Sequence, residues 1–159
     1  MIFKAPYLYR AQSNRYLKGQ AGIFLNPNIL RARRPRDMPM HVHNAINDWF
    51  IESFNIGYRG DALFCTGDRS VAAGYVTKDS TLIAIAPLGD YTVCYSAKCK
   101  DLFGYYQFYW SSPEATLEKI KADLESLDFV HEKNGDLTAA AVSGNEVMIV
   151  AERFQYCLV

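Results

Sequence analysis

At 159 residues, half of them apolar and 21% charged, the chain is long enough to bury one hydrophobic core and too apolar for disorder. Lys+Arg and Asp+Glu balance at 17 each, which excludes the global basic field of a general nucleic-acid binder and leaves only local patches. The apolar runs are far too short to cross a bilayer. The four cysteines, Cys65, Cys94, Cys99 and Cys157, lack CxxC spacing and a paired Cys/His pattern, so they read as reduced thiols of a soluble, cytoplasmic protein without a signal peptide or a structural zinc.

In chain order, the aromatic-rich IFKAPYLYRAQ (2–12) predicts an early strand. Residues 13–40 carry Gly19, Gly22, Pro27, Pro35 and Pro39 and read as loops and turns with at most short elements; inside them lies RARRPR (31–36), four arginines in six residues. Val42, Ala45, Ile46, Trp49, Phe50 and Phe54 recur at three- and four-residue steps, predicting a helix that stops at Asn55-Ile56-Gly57. DALFCT (61–66) predicts a strand, and Asp68 the cap of a short following helix. TLIAIAP (81–87) and DYTVCYS (90–96) predict two strands joined by a turn at Leu88-Gly89.

The run FGYYQFYW (103–110) is aromatic throughout. Ser111 and Glu114 make a capping box for a helix from Pro113 to about Leu127, whose apolar stripe is Leu117, Ile120, Leu124 and Leu127. After the Asn134-Gly135 turn, LTAAAV, EVMIVA and RFQYCLV predict terminal antiparallel strands. The sum is a single α+β domain over 1–159, without repeats or a linker.

Familiar site motifs are absent: no GxGxxG after a strand, no P-loop, no HExxH, no GxSxG. His41 and His43 read as polar residues at a helix start rather than metal ligands, so no metal is expected. The arginine cluster has two readings, a solvated loop or a phosphate-binding patch. Three further segments are unspecific singly. Arg10 suits an edge strand, Tyr75 a core, and Glu146, at the entrance of GNEVMIVAER, a solvated strand charge.

Together and in order, LYRAQ, ALFCTGDRSVAAGYV and GNEVMIV resemble the arginine, Ser/Thr and glutamate motifs of the ADP-ribosyltransferase superfamily. The likeness touches about a quarter of the chain directly, and its order spans nearly all of it. The resemblance implies split antiparallel sheets around an NAD cleft with flanking helices. It also implies cleavage of NAD, as co-substrate, and transfer of ADP-ribose to a macromolecular acceptor.

Glu146, Arg10 and Thr66 would be catalytic: Glu146 stabilising the ribosyl cation, Arg10 holding ribose and phosphate, Thr66 orienting Glu146 or the ribose. Phe64 and Tyr75 would wall the nicotinamide, Ser70 would make a polar contact, and main-chain groups around Ala11 and Gln12 would hold its amide. Gly144 stands where transferases that modify arginine carry an acidic or amide residue, which disfavours an arginine acceptor. Cys65 and Gly67 flank Thr66 where serines often stand.

Compact transferases of this kind resemble bacterial toxins, toxin–antitoxin components and phage-related modifiers, among them mRNA-modifying toxins of toxin–antitoxin–chaperone phage-defence systems. RNA modification is favoured slightly over protein modification, with Arg33 and Arg34 as acceptor contacts and an antitoxin or chaperone as a further partner. The alternative is a non-catalytic module that binds nucleic acid or protein through the arginine loop and the aromatic run.

Overall fold

The computed structural model describes residues 3–106 and 113–159. Its organising element is the last strand. EVMIVAERFQYCL alternates apolar side chains between two faces as a strand must, with Val147, Ile149 and Ala151 buried on one and Met148 on the other. Two of the three expected terminal strands, EVMIVA and RFQYCLV, are therefore one strand, β6 (Glu146–Leu158).

The other five strands among the described residues are β1 (Leu8–Ser13), β2 (Ala21–Leu25), β3 (Leu63–Thr66), β4 (Ser80–Tyr95) and β5 (Val130–Lys133). The strand pairings among the described residues are all antiparallel. β4 also merges two expected strands. Leu88-Gly89 does not reverse the chain; the β4–β6 register shifts between Leu88 and Tyr91, and Gly89 adopts φ +72°. A glycine in the left-handed region inside a ladder makes a bulge, which bends the strand without ending it.

Each long strand thereby serves two half-sheets. The first half of β4 pairs with β1 and the second half of β6, which also carries β2. The second half of β4 pairs with β5 and the first half of β6, which also carries β3. Leu8, Leu63, Cys65, Ile83, Ile85, Val147, Ile149, Phe154 and Tyr156 form one core between the halves. Burying these side chains removes about 25 cal/mol of free energy per Å² of apolar surface. The coarse expectation, α+β with antiparallel strands and flanking helices, matches this architecture.

A second core lies on the other face of the β3–β6–β4 half. There α2 (Met40–Phe54) and α6 (Pro113–Ser126) pack Val42, Ile46, Phe50, Ile120 and Leu124 against Cys94 and Met148. The α2 stripe is the predicted one, and Asn55 ends the helix in the left-handed region at φ 59°. On α6, Ile120, Leu124 and Leu127 are buried but Leu117 is 38% exposed, so the stripe begins one turn later than expected.

LTAAAV is a helix, not a strand: α7 (Thr138–Ser143). Three consecutive alanines carry the highest helix propensity and too little side chain to hold a pleated surface. The region expected to be loops holds β2, a 3-10 turn at Asn14–Tyr16 and the short α1 (Pro27–Leu30). The described residues hold three more short helices: α3 (Tyr58–Asp61), α4 (Arg69–Ala73) and α5 (Leu102–Tyr106). The rest of the aromatic run, 107–110, and Ser111 of the expected capping box lie outside the described residues.

Candidate functional site

β1 and β3 meet at one register pair, Tyr9 opposite Thr66, and then diverge. Where the next ladder bond would form, the Arg10 side chain spans the gap: its Nη1 donates to the Phe64 carbonyl at 2.8 Å and its Nε to Gln12 Oε1 at 2.5 Å. The opening left by this divergence is a cleft of about 1170 Å³. Arg10, Ala11, Gln12, Arg33, Arg34, Phe64, Thr66, Tyr75 and Glu146 all line it, from segments far apart in sequence. Nine of its lining residues are Arg or Lys and four are Asp or Glu, although the whole chain is balanced. The folding therefore concentrates positive charge on one concave surface, where field lines focus.

Glu146 reaches the cleft because the chain around it is pinned. Thr66 Oγ1 donates to the Gly144 carbonyl at 2.9 Å and accepts from the Asp68 amide at 3.1 Å. The Glu146 amide donates to the Lys100 carbonyl at 2.8 Å, and Asn145 Nδ2 to the Ser96 carbonyl at 3.0 Å. Gly144 caps α7 at φ +68°, a conformation that costs a residue with a Cβ about 1–2 kcal/mol. Gly67 is required for a different reason. A Cβ there would lie 1.8 Å from the Ala141 carbonyl oxygen, so no serine fits after Thr66.

Thr66, expected to orient Glu146 or the ribose, bears on Glu146 through the backbone rather than through its carboxylate. The two residues are register partners on β3 and β6, but the Thr66 hydroxyl is spent on the Gly144 carbonyl. Glu146 Oε1 instead accepts from Arg59 Nη1 at 2.9 Å, an ion pair whose side chains are 3% and 18% exposed for Arg59 and Glu146.

Arg59 sits on α3, which three asparagines hold in place. Asn26 Nδ2 donates to the Asp61 carbonyl and Asn28 Nδ2 to the Ala62 carbonyl, while Asn47 Oδ1 accepts from the Gly60 amide. No periodicity or motif marks Arg59 in YRGD, and sequence reasoning missed it.

Phe64 has a different environment from a bare apolar wall. The Arg33 and Arg59 guanidinium carbons lie 4.4 and 4.5 Å from its ring centroid, both within cation–π range. The Arg33 amide donates to the Gly60 carbonyl at 2.8 Å, which ties the arginine loop to α3. Burial lowers the Arg33 pKa to about 10, with the neighbouring Arg59 charge acting in the same direction; burial also lowers Arg10 to about 10. Both guanidiniums still carry their charge at neutral pH.

The remaining predicted residues divide. Tyr75 lines the cleft but is 66% exposed, so it is a rim residue. Ser70 is not among the lining residues. Its hydroxyl donates to Asp68 Oδ1 at 2.7 Å, beside the amides of Ser70 and Val71 that the same oxygen caps. It is part of the α4 cap. Arg33 is half-buried and Arg34 exposed.

Cys65 is buried, with its Sγ donating to the Val147 carbonyl, and burial pushes its thiol up to about 12, so it is held as the thiol at neutral pH. His43 is buried on α2, and among the described residues no cluster of His, Cys, Asp and Glu could hold a metal. No helix among the described residues is long and apolar enough to cross a membrane. No family model, curated protein or solved structure matches the chain.

Proposed function

We propose that the chain is a mono-ADP-ribosyltransferase that cleaves NAD and passes ADP-ribose to a macromolecular acceptor, RNA ahead of protein. The observation that carries this reading is the convergence of Arg10, Thr66 and Glu146, from β1, β3 and β6, on one cationic cleft. At about 1170 Å³ the cleft lies above the roughly 300–1,000 Å³ of drug-sized ligand sites, as a dinucleotide requires.

In the proposed reaction the bond between ribose C1′ and the nicotinamide nitrogen breaks. Its electron pair leaves with nicotinamide, and positive charge develops at C1′. Glu146 sets a carboxylate against that charge, and it acts most strongly where water is scarce. The acceptor nucleophile then attacks C1′ and gives up a proton. Arg10 holds ribose and phosphate with a guanidinium already oriented by Gln12 and the Phe64 carbonyl. The unpaired edge of β1 beyond Tyr9 offers main-chain groups of Ala11 and Gln12 to the nicotinamide amide. Gly144 keeps an arginine acceptor disfavoured, since an acidic residue there would have to adopt a left-handed backbone.

An RNA acceptor is supported by the cleft's cationic rim, where Arg31, Arg33, Arg34 and Arg36 come from one loop. The biological setting that fits a small RNA-modifying transferase is a toxin or phage-defence effector, with an antitoxin or chaperone as partner. The same charge excess favours one second reading, a non-catalytic nucleic-acid-binding module. Labelled NAD incubated with the protein and whole-cell lysate separates them. Transfer into RNase-sensitive material, lost in Glu146→Gln, is the expected result. Label in protease-sensitive material would move the acceptor to protein, and no consumption of NAD would leave the binding module.

A further inference from the structure

Three guanidiniums converge on Phe64: Arg10 on its carbonyl, Arg33 and Arg59 on its ring. Among the described residues, the ion pair these three make is that between Arg59 and Glu146. The cluster therefore holds two positive charges more than it neutralises, partly removed from water. Like charges gathered in a low-dielectric site are costly unless an anion is to join them.

Two of their donors are also orphaned. Arg33 Nη1 and Arg59 Nε are buried without any hydrogen-bond acceptor, and the Arg59 side chain is only 3% exposed. Both residues line the cleft, and neither can swing away freely. The Arg33 backbone is tied to Gly60, and Arg59 is held by Glu146 and by the asparagine-pinned α3. Planar guanidinium forks held by a ring, each with an unpaired donor, suit tetrahedral oxyanions, which take paired N–H bonds.

We propose that Arg33 and Arg59 form a phosphate-binding subsite on the α3 side of the cleft, taking a doubly charged group such as pyrophosphate or two adjacent phosphodiesters. The subsite stands on this geometry and does not depend on NAD cleavage. A dinucleotide and a nucleic-acid backbone offer the same chemistry, so the two sources are separated by competition.

The test is calorimetric titration of the full chain with inorganic pyrophosphate at low and moderate salt. Saturable one-to-one binding that weakens with salt is expected. Arg33→Ala should lose at least tenfold in affinity. Arg59→Ala strands the Glu146 carboxylate, so Arg59 is tested by Arg59→Gln with Glu146→Gln, which removes its guanidinium fork while leaving the cluster's net charge unchanged, its fold checked by circular dichroism; it too should lose at least tenfold. Displacement of pyrophosphate by ADP-ribose assigns the subsite to a dinucleotide, and displacement by a short single-stranded oligoribonucleotide assigns it to a nucleic-acid backbone. Absence of binding to the folded wild type at millimolar pyrophosphate, unchanged affinity in both variants, or displacement by neither competitor overturns the proposal. Pyrophosphate binding without NAD cleavage would instead overturn the transferase reading and leave the subsite intact.

Discussion

Arg59 and Glu146, 87 residues apart, are joined by a 2.9 Å hydrogen-bonded ion pair in which the arginine is almost wholly out of water. The pair links α3 to the first residue of β6, so it couples the element to which the arginine loop is tied to the carboxylate proposed to act on NAD. Removing one partner of a buried pair is far more damaging than removing both, because the survivor is left charged and unsolvated.

Arg59→Ala should therefore destabilise the protein by about 3 kcal/mol, at the low end of that range because Glu146 keeps some contact with solvent. Arg59→Gln with Glu146→Gln should lose less than the sum of the two single changes. Urea denaturation of the four proteins in a double-mutant cycle measures the difference. Strict additivity would show that the pair carries no coupling.

Gly67→Ala tests the packing that presents Glu146. Its Cβ would fall 1.8 Å from the Ala141 carbonyl oxygen, so α7 must move, and with it the Gly144 carbonyl that Thr66 holds. A loss of about 3 kcal/mol is expected, as for severe overpacking, together with a fall in NAD cleavage on the proposed function. A thermal melt that matches wild type would contradict the close approach.

His43 predicts a pH dependence. The residue is buried on α2, and desolvation together with the Arg59 and Arg33 charges lowers its pKa to about 4, against about 6.5 in an unfolded chain. The unfolded state then binds more protons between these values, so stability is full above about pH 6.5 and falls as pH drops towards about 4. The loss should reach up to about 3 kcal/mol at the acid end. His43→Gln should flatten that part of the stability–pH profile, measured by denaturation at several pH values, and an unaltered slope would remove His43 as its source.

The α6 stripe gives a contrast of neighbours. Leu124 is fully buried and Leu117 is 38% exposed, two turns apart on the same helix. Leu124→Ala should cost about 2–5 kcal/mol through lost burial and a cavity, and Leu117→Ala no more than about 0.5 kcal/mol. Equal midpoints in urea for the two variants would contradict the assigned face.

Local pattern was enough wherever one face of one element decides the outcome. The α2 repeat of Val42, Ile46 and Phe50, the Asp68 cap and the alternation of Val147, Met148 and Ile149 are written within a few residues. The order of LYRAQ, LFCT and GNEVMIV likewise marked Arg10, Thr66 and Glu146, and all three line one cleft. Local pattern misplaced LTAAAV, where alanine fits a helix once the chain has a core to lean on, and it read a turn into the Gly89 bulge.

What the sequence by itself determined is the α+β class, because short-range periodicity does not depend on distant contacts, and motif order singled out Arg10, Thr66 and Glu146 among the many residues that line the cleft. Which partner each side chain meets was decided only by tertiary structure. Thr66 turns to Gly144, Ser70 to Asp68, and Glu146 to an arginine 87 residues away that no pattern distinguishes. Ion pairs and close backbone approaches of that kind arise from how sheets and helices cross, and no local sequence period encodes that crossing.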